Sequence, residues 1–277
     1  MKKVISAVFI LLMLLNRVPA QNEKIKLTPE EEHEASAIAE DFVKRIESDE
    51  DLASTGNVLF VKNYAARLRV KRSEYLAVDL TPELWSTADA SDITRLYLSH
   101  FRITYYNYIL YGASVLKLLR KNKDAKIKDE DIDVKSILPP ELLARIKREP
   151  FLSKTWTFFS DKQNVSDKDD NKIASVEQLR NYLRFLDEAF VLIKKHLGSL
   201  SLPQTWKGLA EENKKLKPES GDEQNLLKPK IYIQTFDNDS DGYKAGTRMI
   251  GAEILIFALG LVKEDGKWKI LHLSIHD

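Results

Sequence analysis

The sequence contains no cysteine. A disulfide framework, thiol chemistry and a lipid-modified N-terminal cysteine are therefore excluded, and stability has to come from a packed core. The sequence also lacks a dominant charge, because 43 lysine and arginine residues stand against 42 aspartate and glutamate residues. Without a large basic field to hold phosphate groups, we expect that nucleic acid is not a partner.

Motifs of the common enzyme and metal sites are absent as well. There is no glycine-rich phosphate loop and no Gly-x-Ser-x-Gly elbow, and the five histidines form no ligand set. Ala37 stands where a zincin helix beginning at His33 would carry its second histidine. His272 and His276 lie in a predicted strand, about 13 Å apart, which is too far to share a metal. His100 is predicted to be a hydrogen-bonded core residue. From the absence of all these motifs we expect no catalytic residue, no cofactor and no metal.

An apolar run near the N-terminus follows two lysines. Lys2 and Lys3 precede an apolar run at residues 4–15, and Val18 and Ala20 supply small residues for a cleavage site. This pattern predicts a secretory signal peptide at residues 1–20, since the run is too short to span a bilayer. The alternative is a buried N-terminal helix. We therefore expect an exported protein, periplasmic or extracellular, without stable membrane insertion after cleavage and with a formal charge that changes from +1 to −2.

Residues 21–217 are predicted to be mainly helical. An amphipathic helix is predicted at residues 29–48. Thr28 is its N-cap, Pro29 occupies its first position, and Glu31 completes a capping box with Thr28. A second helix at residues 57–69 follows a polar break. The inward face of the first helix consists of Ala35, Ile38, Phe42 and Ile46.

Two long helices are predicted further along. The first covers residues 92–121, and the second covers residues 175–197 with Gly198 as its C-terminal cap. The polar segments 121–135 and 160–174 are predicted to be a linker and a loop. The inward stripe of the first long helix is predicted to be Ile93, Tyr97, His100, Thr104, Tyr108, Tyr111, Val115 and Leu118.

Aromatic side chains crowd the first long helix. They are Tyr97, Phe101, Tyr105, Tyr106, Tyr108 and Tyr111. Together with Arg95 and Arg102 they could stack on a sugar or a flat hydrophobic ligand. The alternative, which we favour, is core packing with some hydroxyl groups at the surface.

The C-terminal part, residues 230–277, is predicted to form an antiparallel sheet of at least three strands. Residues 231–236, a long apolar stretch at 247–262 and the alternating residues 268–275 are its strands. Asp265 and Gly266 predict a tight type I′ hairpin turn. The fold class is therefore α+β, with amphipathic helices followed by the sheet, which we expect to pack on helices 29–48 and 57–69 as one domain.

The segment 237–242 resembles the first half of a calcium loop, with oxygen ligands at positions 1, 3 and 5 and a glycine at position 6. Arg248 occupies position 12, where the loop needs a glutamate, and strands rather than helices are predicted on both sides. A solvated hairpin loop is the favoured interpretation, and weak extracellular calcium binding is the alternative.

Residues 254–270, with the Asp-Gly-Lys-Trp-Lys-Ile turn, and the N-terminal helix pair at residues 29–70 resemble the nuclear transport factor 2-like superfamily. The resemblance implies a curved antiparallel sheet wrapped around helices, forming a cone with an apolar pocket. An enzyme of this type would use a pocket aspartate or histidine as a general base. Residues 85–217 depart from the pattern, so the helical part is either an insertion in the cone or a bundle with a sheet appended.

Two functions follow as hypotheses. The first is an exported, non-catalytic protein that binds a partner or a small apolar ligand, with the apolar residues 254–261 lining the pocket. The alternative is a cone-fold enzyme that performs proton transfer or hydrolysis on a small hydrophobic substrate. It would need an ionisable residue buried in an apolar cavity.

Overall fold

The computed structural model describes residues 26–48, 51–71, 79–122, 127–128, 131–148, 172–216, 229–235, 243–244, 246–254 and 257–275. The predicted signal peptide at residues 1–20, the calcium-like segment 237–242 and His276 lie outside the described residues. The described helices are α1 (Pro29–Glu47), α2 (Leu52–Leu59), α3 (Tyr64–Lys71), α4 (Pro82–Thr87), α5 (Ala90–Lys121), a 3-10 turn (Val134–Ile137), α6 (Pro140–Arg148), α7 (Val176–Ser199) and α8 (Trp206–Leu216). The described strands are β1 (Asp79–Leu80), β2 (Lys172–Ile173), β3 (Lys230–Thr235), β4 (Arg248–Ile254), β5 (Phe257–Glu264) and β6 (Lys267–Ile275).

The C-terminal strands form an antiparallel sheet in the order β3-β4-β5-β6. The α+β class with a C-terminal antiparallel sheet is therefore confirmed. The single stretch predicted at residues 247–262 was wrong, because it contains two strands and Ile254 pairs with Phe257. Most residues of β4 and β5 are buried on both faces of the sheet, so the apolar run carries no alternation that would reveal the hairpin.

The loop predicted at residues 160–174 was also partly wrong. Its last part contains β2, which pairs in parallel with β1 through Asp79–Lys172 and Leu80–Ile173. This pair is only two residues long, and its partner lies far away in the chain. Local sequence patterns therefore give no signal for it.

Helix α1 lies across the sheet and begins as predicted. The Glu31 backbone N–H donates to Thr28 Oγ1 at 3.2 Å, and the Thr28 N–H donates to the Glu31 carboxylate at 3.0 Å. Glu31 also binds Arg248 of β4 at 2.5 Å, and Trp268 of β6 donates to Glu34 at 2.8 Å. The start of α1 is thereby joined to two strands of the sheet.

The single helix predicted at residues 57–69 was wrong. The chain forms α2 and α3 instead, and between them Phe60 makes a parallel bridge with Ile270 of β6. The polar break at residues 54–56 is helical because Asp51 caps α2, accepting from the Ala53 N–H at 3.1 Å. Gly56 serves close packing, since a Cβ atom there would lie 2.5 Å from a Thr94 side-chain carbon of α5.

Helix α5 is enclosed by other elements along residues 96–103, where every side chain is buried. The predicted inward stripe holds up to His100 and is wrong after it, because Tyr111 is exposed and the residues buried instead include Tyr105, Ile109 and Ala113. A helix covered on several sides buries more than one stripe, so a single periodicity cannot describe it.

An aromatic cluster joins α1 and α5 to the sheet. The ring centroid of Phe257 on β5 lies 5.7 Å from that of Phe42, 5.3 Å from that of Phe101 and 6.3 Å from that of Tyr105. Aromatic contacts at such distances add to the stabilisation that burial alone provides. The helix-facing side of the sheet is therefore filled by side chains at this position.

Helix α7 buries most of its predicted face, but its end differs from the prediction. Gly198 is inside the helix, and the residue with a left-handed backbone is Ser201, at φ 54°. A Cβ atom at Gly198 would come 2.6 Å from the Gln204 side-chain amide, so this glycine makes room for the returning chain. Among the helices of the described ranges, none is long and apolar enough to cross a bilayer.

The hairpin turn between β5 and β6 has the predicted geometry. Asp265 and Gly266 have φ values of 50° and 76°, and Glu264 pairs with Lys267. Positive φ at both central residues is what a type I′ turn requires.

We predict that Gly266→Val destabilises the protein by about 1–3 kcal/mol, because a β-branched residue is strained at positive φ. Urea unfolding should show a lower midpoint. Gly266→Asn is the matched control, since asparagine tolerates the left-handed region, and it should have a much smaller effect. An unchanged midpoint for Gly266→Val would contradict a tight turn at this position.

Candidate functional site

Three charged side chains meet between α5 and α7. Arg95 donates to one oxygen of the Asp187 carboxylate at 2.5 Å, and Arg102 donates to the other oxygen at 2.7 Å. The Arg102 side chain is only 4% exposed, whereas those of Arg95 and Asp187 are 34% and 32% exposed. We call Arg95, Arg102 and Asp187 the charged triad.

Helix geometry explains why these residues meet. Arg95 and Arg102 are seven residues apart on α5, so they lie on the same side of the helix, two turns apart. Asp187 comes directly after Leu186, which belongs to the buried face of α7. Helices α5 and α7 pack directly against each other. One turn beyond Asp187, the Phe190 ring lies under the Arg102 guanidinium, 4.0 Å from its centre. Such cation–π contacts are favourable, the more so when the cation is desolvated.

A cleft of about 310 Å³ opens beside the charged triad. Its volume lies at the lower end of the range for small-molecule sites. The start of α2, the charged triad and one turn of α7 line it. The lining residues are Asp51, Leu52, Arg95, Arg102, Asp187, Phe190 and Val191.

A buried carboxyl group lies at the end of α1. Glu47 accepts a hydrogen bond from the Tyr105 hydroxyl at 2.6 Å and one from the backbone N–H of Trp206 at 2.9 Å. Burial raises the pKa of Glu47, although these hydrogen bonds oppose the shift. Burial also raises the pKa of Tyr105. Lys194 donates to the Glu47 backbone carbonyl at 2.9 Å, so four helices meet at this residue.

His100 is a core residue, as predicted from its place on the apolar stripe. Its Nε2 atom lies 2.9 Å from the Tyr182 hydroxyl, and both side chains are buried. Burial lowers the pKa of His100 to about 3, so the ring is neutral near pH 7. Neither His100 nor Glu47 lines the cleft.

A second, smaller opening lies between the start of α6 and α7. It has a volume of about 130 Å³ and is lined by Pro139, Pro140, Glu141, Leu192, Lys195, His196 and Ser199. Over the described part of the chain, no three histidine, aspartate or glutamate side chains are grouped so that they could hold a metal ion.

Sequence reasoning named Arg95 and Arg102 only as neighbours of the aromatic residues of α5. The structure places Phe101, Tyr105 and Tyr106 in the core, and it directs both arginines at Asp187. Asp187 was missed, because it is 85 residues from Arg102 in the chain. The sequence does hold one signal for such a partner. Arg102 stands between the apolar residues Phe101 and Ile103 in a predicted buried helix, and a buried cation needs an anionic partner.

Comparisons of the chain with protein-family models, with curated proteins and with solved structures gave no match. The cleft is therefore interpreted from its own geometry and chemistry.

We predict that Asp187→Asn lowers the free energy of unfolding by about 2 kcal/mol, because it removes the charged acceptor of the enclosed Arg102 guanidinium. Urea unfolding measures this change. Glu188→Gln is the control, since Glu188 is the next residue and pairs with Arg145 at the surface. We expect it to cost less than about 1 kcal/mol. Equal losses of unfolding free energy for the two substitutions would show that the contact of Asp187 with the enclosed Arg102 stabilises the fold no more than a surface ion pair does.

A further prediction concerns pH. The raised pKa of Glu47 means that the folded chain binds this proton more tightly than the unfolded chain does. This contribution to stability is present below the ordinary pKa of 4.5 and is lost as the pH rises through the raised value. Glu47→Gln keeps an oxygen acceptor for Tyr105 and Trp206 but cannot ionise, so it should reduce the loss of stability with rising pH.

Glu31→Gln is the control, with the opposite sign. Arg248 lowers the pKa of Glu31 to about 2, so its stabilisation is present above pH 4.5 and is lost as the pH falls toward 2. Unfolding measured from pH 2 to 8 should show a change on the acid side for Glu31→Gln and above pH 4.5 for Glu47→Gln. If Glu47→Gln instead changed the stability only on the acid side, burial would not be what determines the pKa of Glu47.

Proposed function

We propose that this chain is an exported, non-catalytic binding protein and that the cleft beside the charged triad is its ligand site. The single observation that carries the proposal is an open cleft lined by two guanidinium groups that bind the same carboxylate. Preformed concave sites with a few oriented polar groups are typical of small-molecule binding. Export is proposed from the N-terminal sequence pattern alone.

The position of the proposed site differs from the apolar pocket that a cone fold would provide. Phe257, Leu259 and Leu261 of β5 point to the helix side of the sheet and are buried in the core. Phe42 and Phe101 pack against Phe257 from α1 and α5. A polar cleft between helices is therefore the better candidate for a ligand than the space under the sheet. The relation to the nuclear transport factor 2-like superfamily is proposed from the sequence resemblance alone.

A proton-transfer enzyme is the second candidate, and the raised pKa of Glu47 favours it. A general base must reach its substrate within hydrogen-bond distance. In the parts of the chain that the structure describes, Glu47 lines neither opening, and its carboxylate is already bound to Tyr105 and Trp206. The binding function is therefore the stronger proposal.

The proposal is tested by a ligand-detected NMR screen with small anionic, cationic and uncharged fragments. Val191 lines the cleft and is 51% exposed, so Val191→Trp should fill the cleft without removing a charge. Val176→Trp is the matched control, because it adds the same ring at an exposed valine of α7 outside the cleft. Fragments should bind the unmodified chain and Val176→Trp, and binding should weaken about tenfold or more in Val191→Trp.

Two results would overturn the proposal. One is the absence of binding for all three fragment classes. The other is equal binding by the unmodified chain and by Val191→Trp, which would place the ligand elsewhere. Urea unfolding of both variants shows whether each is folded.

A further inference from the structure

The lining of the cleft carries charges of both signs in equal number. Arg95 and Arg102 stand against Asp51 and Asp187, so the formal charge of the lining is zero. A ligand with a net charge would meet no excess of the opposite charge in this lining. Since complementary charge decides which partner a site accepts, the cleft favours a ligand whose own charges sum to zero.

Two of these four side chains have hydrogen-bonding groups available for a ligand. Over the described residues, the one hydrogen bond of Arg95 runs from Nη2 to Asp187, and the Arg95 side chain is 34% exposed. A guanidinium has five N–H groups, so most of its donors are left. Asp51 is exposed, and its one hydrogen bond there is accepted by Oδ1 from the Ala53 N–H. Its second carboxylate oxygen can therefore accept from a ligand, while Arg95 can donate to it.

Arg95 and Asp51 line the same cleft but do not pair with each other. The ion pair of Arg95 is made with Asp187, and within the described part of the chain Asp51 has no ion pair. Two opposite charges that line one opening without touching can both be matched by a ligand that carries a cation and an anion. An ammonium group suits Asp51, and a carboxylate suits the planar fork of Arg95.

A third element contributes an apolar contact. Val191 of α7 lines the cleft and is 51% exposed, so an aliphatic group bound there would cover apolar surface that water now contacts. The acidic, basic and aliphatic contacts thus come from the start of α2, from α5 and from α7. An α-amino acid has the matching arrangement, because its ammonium group, its carboxylate and its side chain are all attached to one carbon.

We infer that the cleft binds zwitterionic aliphatic amino acids. The ammonium group lies at Asp51, the carboxylate accepts from Arg95, and the aliphatic side chain lies against Val191. This inference rests on the proposed function and names its ligand class. It requires both charges on the ligand, which distinguishes it from binding of a simple acid, a simple amine or an uncharged molecule.

The test is a ligand-detected NMR titration with three probes that share one aliphatic group. L-Leucine carries both charges, 4-methylpentanoate lacks the ammonium group, and 3-methylbutylamine lacks the carboxylate. L-Leucine should bind the unmodified chain about tenfold or more tightly than either of the other probes, because each of them loses one set of charge-assisted hydrogen bonds.

Two substitutions assign the two charges of the ligand. Asp51→Asn keeps a good helix N-cap but removes the negative charge. It should weaken L-leucine binding about tenfold and leave 4-methylpentanoate binding unchanged. Arg95→Gln should weaken L-leucine binding by a similar factor and leave 3-methylbutylamine binding unchanged. A general loss of structure would weaken all three probes in both variants, so this crossed pattern is specific to the proposed contacts.

Glu177→Gln and Arg180→Gln are the controls, since each removes an exposed charge of α7 outside the cleft and should not alter binding. The inference is overturned if L-leucine does not bind, if either single-charge probe binds as tightly as L-leucine, or if a folded Asp51→Asn or Arg95→Gln variant binds L-leucine unchanged. If other fragments nevertheless bind and are lost in Val191→Trp, the proposed function stands without this ligand class. If nothing binds in any class, both fail.

Discussion

A guanidinium enclosed between two helices needs a carboxylate beside it, and the contact between Arg102 and Asp187 meets this need between α5 and α7. Helix α5 carries Arg102 on one side and, through Phe101, packs against Phe257 of the sheet on another. The position of α7 is thereby tied to the same helix that supports the sheet. The charged triad and the cleft beside it are consequences of that arrangement.

One carboxylate serves two arginines that differ in burial, and this difference separates their roles. Arg102 is enclosed by packing, so losing its contact with Asp187 would leave a buried guanidinium charge without water around it. Arg95 keeps part of its surface in water and lines the cleft. One carboxylate on α7 thus contacts an enclosed arginine and a partly exposed arginine of α5.

The parts of the fold that depend on neighbouring residues could be predicted from the sequence. The Thr28 capping box and the Asp265–Gly266 turn require only residues that are close in the chain, and both have the expected geometry. The hairpin between β4 and β5 was missed because both faces of these strands are buried. The pairing of Arg95 with Asp187 was missed because 92 residues separate them, and no local pattern records which helices pack together.

Asp187 should stabilise the fold more through the enclosed Arg102 than through the partly exposed Arg95. Double-mutant cycles measure this directly, combining Asp187→Asn with Arg102→Gln in one cycle and with Arg95→Gln in the other. The coupling free energy should be about 1.5–3 kcal/mol for the enclosed Arg102 pair and below about 1 kcal/mol for the partly exposed Arg95 pair. A larger coupling for Arg95 would contradict this division of roles.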